Sequence, residues 1–405
     1  MIDRQGNRDA NPDRPAAARP GGEHGSAPQR PRNRFDRMEW AGAFGDLGTL
    51  IPFVVAYISV AKVDPLGVLF AFGVVLIICG AYYRTPFPVQ PMKAIGAVVA
   101  TQGAQFAVTV PAIFAAGLVT GLIWLLLGLS GTAEKIGRLV SRPVLMGIIL
   151  GLGMSFMLEG VKLMAANWYI AVAGLAGTIL LLSSRRIPAM LALLVFGLLC
   201  GVLLNPGTLD ALATVSIEFR LPAFALSELT WADLLTGTLF LALPQLPLTL
   251  GNALLAIREE NNRLFPDRPV SDRGVAVSTG LMNLFGSAVG GVPMCHGAGG
   301  MAGHVAFGAR TGGAPIILGG ILLLGALFFS SSVELLLGLL PTAILGVILF
   351  ITGSQLALGS GRLDPRKAER FITLITAASA IWNVGLAFLL GMLVTWIHRR
   401  GWLRL

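Results

Sequence analysis

Apolar residues run through this chain in long blocks, broken by short polar and often basic connections. The stretches 66–80, 188–204 and 312–329 contain hardly a polar side chain. A helix of about 20 apolar residues crosses the roughly 30 Å hydrocarbon core of a bilayer. In lipid a helix also satisfies its own backbone hydrogen bonds, which an open strand cannot do. The pattern therefore predicts an all-α membrane protein. Fourteen transmembrane segments are expected, some shorter than a full span, near 41–60, 66–83, 89–105, 111–130, 143–158, 167–183, 187–204, 232–256, 274–290, 294–309, 313–330, 335–357, 371–382 and 384–398.

Charge tests this division. The chain is 13% charged, against roughly 25% in soluble proteins. Its net charge of +9 is carried by the tail and the connections. With the N-terminus inside, 26 of the 30 Lys and Arg fall on the inner side and only Lys62, Lys162 and Arg220 on the outer; Lys93 lies within a segment. Such a bias is what the positive-inside rule requires, and a miscount in the middle would scramble it. It places both termini in the cytoplasm, in a multi-pass protein of the inner membrane, and explains the basic charge without nucleic acid. Residues 1–37 are rich in Arg, Pro and Gly and are expected to be a disordered cytoplasmic tail. They lack the apolar core of a signal peptide.

The chain also divides into two similar halves, 38–205 and 230–398. Pro91-Met92-Lys93-Ala94-Ile95-Gly96-Ala97 resembles Pro293-Met294-Cys295-His296-Gly297-Ala298-Gly299, about 202 residues later. The same shift carries Asp46 close to Gln245. Seven segments per half is an odd number, so the halves must insert in opposite orientations. The expected architecture is a 7+7 inverted repeat.

Segments 3 and 10 open unlike plain helices. Thr85-Pro86-Phe87-Pro88-Val89-Gln90-Pro91 and Gly290-Gly291-Val292-Pro293 favour extended chain, and a helix can start only after them. Half-helices beginning in mid-membrane would expose free N–H groups and positive dipole ends. Two of them facing one another form an anion site; a proline kink with a packing role is the alternative. Around them lie the candidate ligands Gln90, Met92, Lys93, Gln245, Cys295, His296, Gly297 and Ala298. Ionisable groups inside a membrane are costly and usually functional. Lys93 would supply positive charge to an oxyanion, or pair with Asp46. His296 would donate to the anion or bond a backbone carbonyl. Asp46 fits proton coupling or an ion pair. The Gln245 amide can bond an oxyanion without the desolvation cost of a charge, with Thr249 and Asn252 one and two turns further on. Gly297 to Gly303 lets backbone approach a ligand or lets helices pack. Packing is the favoured role of His304.

No phosphate-binding loop, dinucleotide fingerprint or HExxH motif occurs. Cys79, Cys200 and Cys295 have no metal-ligand spacing. The chain is therefore not expected to be an enzyme, to bind a metal or to use a cofactor. A channel would carry more flux than a stoichiometric carrier.

The stretches 42–52, 88–95, 244–253 and 293–300 resemble those of the molybdate transporter family related to sulfate permeases, and the likeness extends over roughly 38–398. The resemblance implies molybdate uptake by a secondary transporter. It implies the seven-plus-seven fold of sulfate permeases and nucleobase symporters, with substrate between segments 3 and 10. Segments 1–4 and 8–11 would form a core domain and 5–7 and 12–14 a gate domain, with room for a homodimer through the gate. Many sulfate permeases add a cytoplasmic domain at the C-terminus; the chain stops about seven residues after the last segment, and none is expected. Where the family's segment 10 carries glutamine, this chain has His304. Sulfate, tungstate, or a nucleobase or organic anion on the same fold remain the alternative cargoes.

Overall fold

A computed structural model describes residues 32–102, 108–184, 186–204, 207–213, 215–360 and 366–402. Most of the N-terminal tail, and Arg185, Arg362 and Arg404 of the charge count, lie outside these residues. Residues Asn33–Leu405 belong to one compact unit.

The order is helical almost throughout. Helix α1 covers Arg37–Val60 and α2 Pro65–Tyr83. Strand β1, Gln90–Pro91, leads into a ten-residue helix α3, Lys93–Gln102. There follow α4 (Val110–Leu129), the short amphipathic α5 (Thr132–Leu139), α6 (Arg142–Met164), α7 (Trp168–Leu181), α8 (Ala189–Leu204) and α9 (Gly207–Ala213). Helix α10 runs over Trp231–Leu264 and α11 over Asp272–Ala288. Strand β2, Met294–Cys295, leads into the nine-residue α12, Ala298–Ala306. The chain closes with α13 (Gly313–Gly338), α14 (Thr342–Gly359), α15 (Lys367–Trp382) and α16 (Val384–Arg399). Among the described residues six helices are long and apolar enough to cross a membrane, and four apolar ones are shorter.

Several ends differ from the sequence expectation, each for a local reason. Helix α10 continues to Leu264 rather than stopping near 256. Its last turns, Ile257–Leu264, are polar, and no breaker occurs before Pro266. Proline at 244 and 247 removes N–H donors inside the same helix. The chain absorbs this with wide π turns at Gly237–Ala242 and Thr249–Ala256. The expected start of segment 12 at 335 falls in the end of α13, because Pro341 caps the next helix and delays it to Thr342. The tail expected to run to 37 is tied down earlier. Asn33 bonds the Gly80 carbonyl (3.1 Å) and accepts from Gly312 N–H (3.1 Å), and Arg34 N–H donates to the Thr311 hydroxyl. Glu39, fully buried, accepts from the N–H groups of Arg310, Thr311 and Ala314 and so anchors α1 on the start of α13.

Candidate functional site

The two proline-broken stretches meet. β1 and β2 pair antiparallel, Gln90 opposite Cys295 and Pro91 opposite Met294. Met92 N–H extends the ribbon to the Pro293 carbonyl (2.8 Å). Proline has no N–H to give a ladder, which keeps the pairing to two residues a side. The Asn283 side chain holds the ribbon from α11: its amide donates to the Met294 carbonyl (2.7 Å) and accepts from Met294 N–H (2.8 Å). Because the strands are antiparallel, α3 and α12 start at opposite ends of one short ribbon. Met92 and Cys295 contribute backbone here and bury their side chains.

Helix α10 lays one polar edge along both helix starts. Gln245 Oε1 accepts from Ala94 N–H in the first turn of α3 (2.9 Å). Asn252 Oδ1 accepts from Ala298 N–H at the start of α12 (3.2 Å). Gln245 Nε2 donates to the Thr249 hydroxyl between them (3.0 Å). All three are buried. Two neutral amides thus occupy donors that a helix start would offer an anion.

Asp46, buried on α1, accepts from the Thr49 hydroxyl and from Gln90 Nε2. Gln90 Nε2 also donates to Thr49 Oγ1 (2.6 Å). That leaves Gln90 Oε1, buried and without a partner, against Gly297. A Cβ on Gly297 would run into this oxygen; one on Gly300 would stand 2.7 Å from Asp46 Oδ2. The small residues of α12 therefore let Asp46 and Gln90 pack against its first turn.

Lys93, the first residue of α3, has a buried ammonium with no hydrogen-bond partner. It lies over the ring of Phe156, 3.8 Å from the centroid. A buried charge without a partner is expensive. Asp46 is not its hydrogen-bonded mate, since the Asp46 contacts run to Thr49 and Gln90.

His296 is placed differently. Its Nδ1 donates to the Pro88 carbonyl (2.8 Å), which leaves Nε2 to accept from the Ser278 hydroxyl (2.6 Å). Phe87 lies edge-on against the ring at 4.9 Å. Both nitrogens are thus engaged within the protein, locking the end of β2 to the chain before β1. His304 donates Nδ1–H to the Gly42 carbonyl (2.8 Å) and keeps a buried, unpartnered Nε2.

The structure therefore gathers Asp46, Gln90, Lys93, Gln245, Gly297 and Ala298 around the two helix starts and turns His296 aside. Sequence reasoning passed over Asn283 and Phe156. An asparagine inside the apolar run of α11 is a signal that could have been read; a phenylalanine among leucines and methionines is not.

Known proteins resemble this chain in sequence and in fold. The family model described as "Molybdate transporter of MFS superfamily" matches residues 38–156 and 237–356. Molybdate transporter 2 of Arabidopsis thaliana is 32% identical over 390 residues, covering 84% of this chain and 82% of that protein. Molybdate transporter 1 of Chlamydomonas reinhardtii is 28% identical, covering 90% and 92%. Among solved structures, the transmembrane domain of a cyanobacterium bicarbonate transporter, BicA, superposes with a TM-score of 0.58 at 16% identity, over 88% of this chain and 96% of that one. Murine Solute Carrier 26 family member A9, an anion transporter in its inward-facing state, gives 0.60 at 12% identity, over 93% and 70%. At such identities the likeness is one of fold: an all-α, multi-pass membrane architecture.

Proposed function

The chain belongs to the molybdate transporter family, and on that premise we propose that it imports molybdate across the cytoplasmic membrane as a secondary transporter. The anion would sit between the starts of α3 and α12. One observation carries the site: the Lys93 ammonium is buried, has no hydrogen-bond partner, and stands at the first turn of α3 beside the ribbon that joins both short helices. A dianion supplies the missing counter-charge. The first turns of α3 and α12 add N–H donors and positive dipole ends. Gln245 and Asn252 hold two of those donors and would yield them, or turn their own amide N–H groups inward, when an oxyanion arrives.

The spacing of the family match supports the same reading. The two stretches matched by the family model are of nearly equal length and lie about 200 residues apart, and each contains one proline-broken opening. The proposal includes an inverted repeat with half-helices at segments 3 and 10, with segments 1–4 and 8–11 as core and 5–7 and 12–14 as gate. Core movement against gate would expose the site to each side in turn. The inner-side bias of Lys and Arg supports cytoplasmic termini.

Radiolabelled uptake into proteoliposomes tests this. Molybdate uptake is expected, with tungstate and sulfate as competitors because all three are tetrahedral dianions, and with the pH gradient varied to expose coupling. Lys93→Ala is expected to reduce uptake by at least about a hundredfold, as loss of one partner of a buried charge pair does. Uracil uptake without molybdate uptake would overturn the cargo. Full uptake in Lys93→Ala would overturn the site.

A further inference from the structure

We propose that Phe156 sets the size of anion this protein accepts, by standing in the anion's place on Lys93 until an anion displaces it. This rests on the anion site proposed above and adds a residue from a helix outside it. Phe156 belongs to α6, which packs chiefly on α14 and α15. Its stem is fixed on α14, where a Cβ on Gly353 would come within 2.8 Å of Phe156 Cβ. Its ring reaches away from that contact to two other places at once. It lies under the Lys93 ammonium, 3.8 Å from Nζ to the centroid. It also covers the first turn of α12, where a Cβ on Gly299 would strike the ring, 2.7 Å from Cζ. One aromatic face thus fills the space in front of the lysine and against the helix start.

The arrangement has the properties of a displaceable occupant. An ammonium is attracted to the ring face, but the ring cannot accept its hydrogen bonds, and Nζ has none. Opposite full charges in a low-dielectric site attract far more strongly than a cation and a quadrupole. An oxyanion entering beside Lys93 therefore wins the ammonium. A phenyl ring and a small tetrahedral oxyanion are of comparable bulk, so the ring gives way to such an ion and, still tethered to α6 beside the site, leaves room for little more. Gly299 matters for the same reason, since a side chain there would exclude the ring.

The test places 4-fluorophenylalanine at position 156 and follows its ¹⁹F resonance during a molybdate titration of the purified protein. The expected result is a second resonance that saturates with molybdate binding. Binding of molybdate, of the smaller sulfate and of the larger pyrophosphate is measured alongside in Phe156→Leu, which keeps part of the bulk without the ring face, in Phe156→Ala and in Phe156→Trp. Phe156→Ala is expected to bind molybdate about fivefold more tightly and to accept larger oxyanions, and Phe156→Trp to bind about tenfold more weakly, the usual scale for changed bulk in a pocket. A resonance unmoved at saturating molybdate, with affinities and size selectivity unchanged in Phe156→Leu and Phe156→Ala, would overturn the proposal. Lys93→Ala separates the two readings. Loss of binding there with an indifferent Phe156 removes only the role given to Phe156, whereas intact binding removes the site itself.

Discussion

Lys93 and His296 each follow closely on one of the two paired strands, and the fold treats them in opposite ways. His296 has a protein partner on each ring nitrogen, Pro88 and Ser278. Lys93 has none on its ammonium. Each therefore predicts a distinct mutant. His296→Ala strands a buried carbonyl and a hydroxyl and is expected to cost about 2–4 kcal/mol, seen as a lower melting temperature in detergent. Lys93→Met removes an uncompensated buried charge and is expected to hold or raise that temperature while abolishing molybdate uptake. A Lys93→Met protein that melts earlier yet transports normally would make the lysine structural. The polar residues of this site were legible in the sequence because charged and amide side chains are conspicuous inside apolar runs. Their division of labour was not. The His296 partner Pro88 lies 208 residues upstream, and no local pattern announces such a contact. Phe156 gave no sign at all, because an aromatic residue in a membrane helix is ordinary.

At the scale of elements, the proline-rich openings predicted extended chain before each helix, and β1 ahead of α3 and β2 ahead of α12 have that form. Proline restricts the chain locally and glycine frees it, and both disfavour a continuous helix, so such breaks can be read without the fold. Helix ends were harder. The polar end of α10 resembles a loop in composition, yet it continues as helix until Pro266 permits it to stop. The capping of two helices by one neighbour was legible only in part. Gln245 stood out as a ligand, while its bond to Ala94 N–H and that of Asn252 to Ala298 N–H depend on how α10 crosses both helix starts. If the Asn252 amide substitutes for the anion at α12, Asn252→Ala frees a donor and is expected to lower the stability of the empty protein by about 1 kcal/mol, the usual worth of a helix cap. Saturating molybdate should then raise the melting temperature of the mutant more than that of the parent protein. Equal shifts would mean that the anion never reaches this N–H.

For the whole molecule, hydrophobic runs and basic connections already specified an all-α membrane protein, and the fold agrees with BicA over 88% of the chain. Long apolar runs suffice for that because a bilayer permits few alternatives. How the helices pack side by side was not legible, since lipid-facing and buried leucines look alike in sequence. A carrier with one alternating site should exchange its cargo. Vesicles preloaded with unlabelled molybdate are therefore expected to take up labelled molybdate faster than empty ones, and with the membrane potential clamped a channel would show no such stimulation. Anomalous diffraction at the molybdenum edge from crystals grown with molybdate tests the position of the anion most directly. The anomalous peak is expected within hydrogen-bonding reach of Lys93 Nζ, beside the first turns of α3 and α12. A peak confined to a different anion-attracting place, such as the cavity of about 670 Å³ lined by Arg34, Arg37 and Arg310, would contradict it.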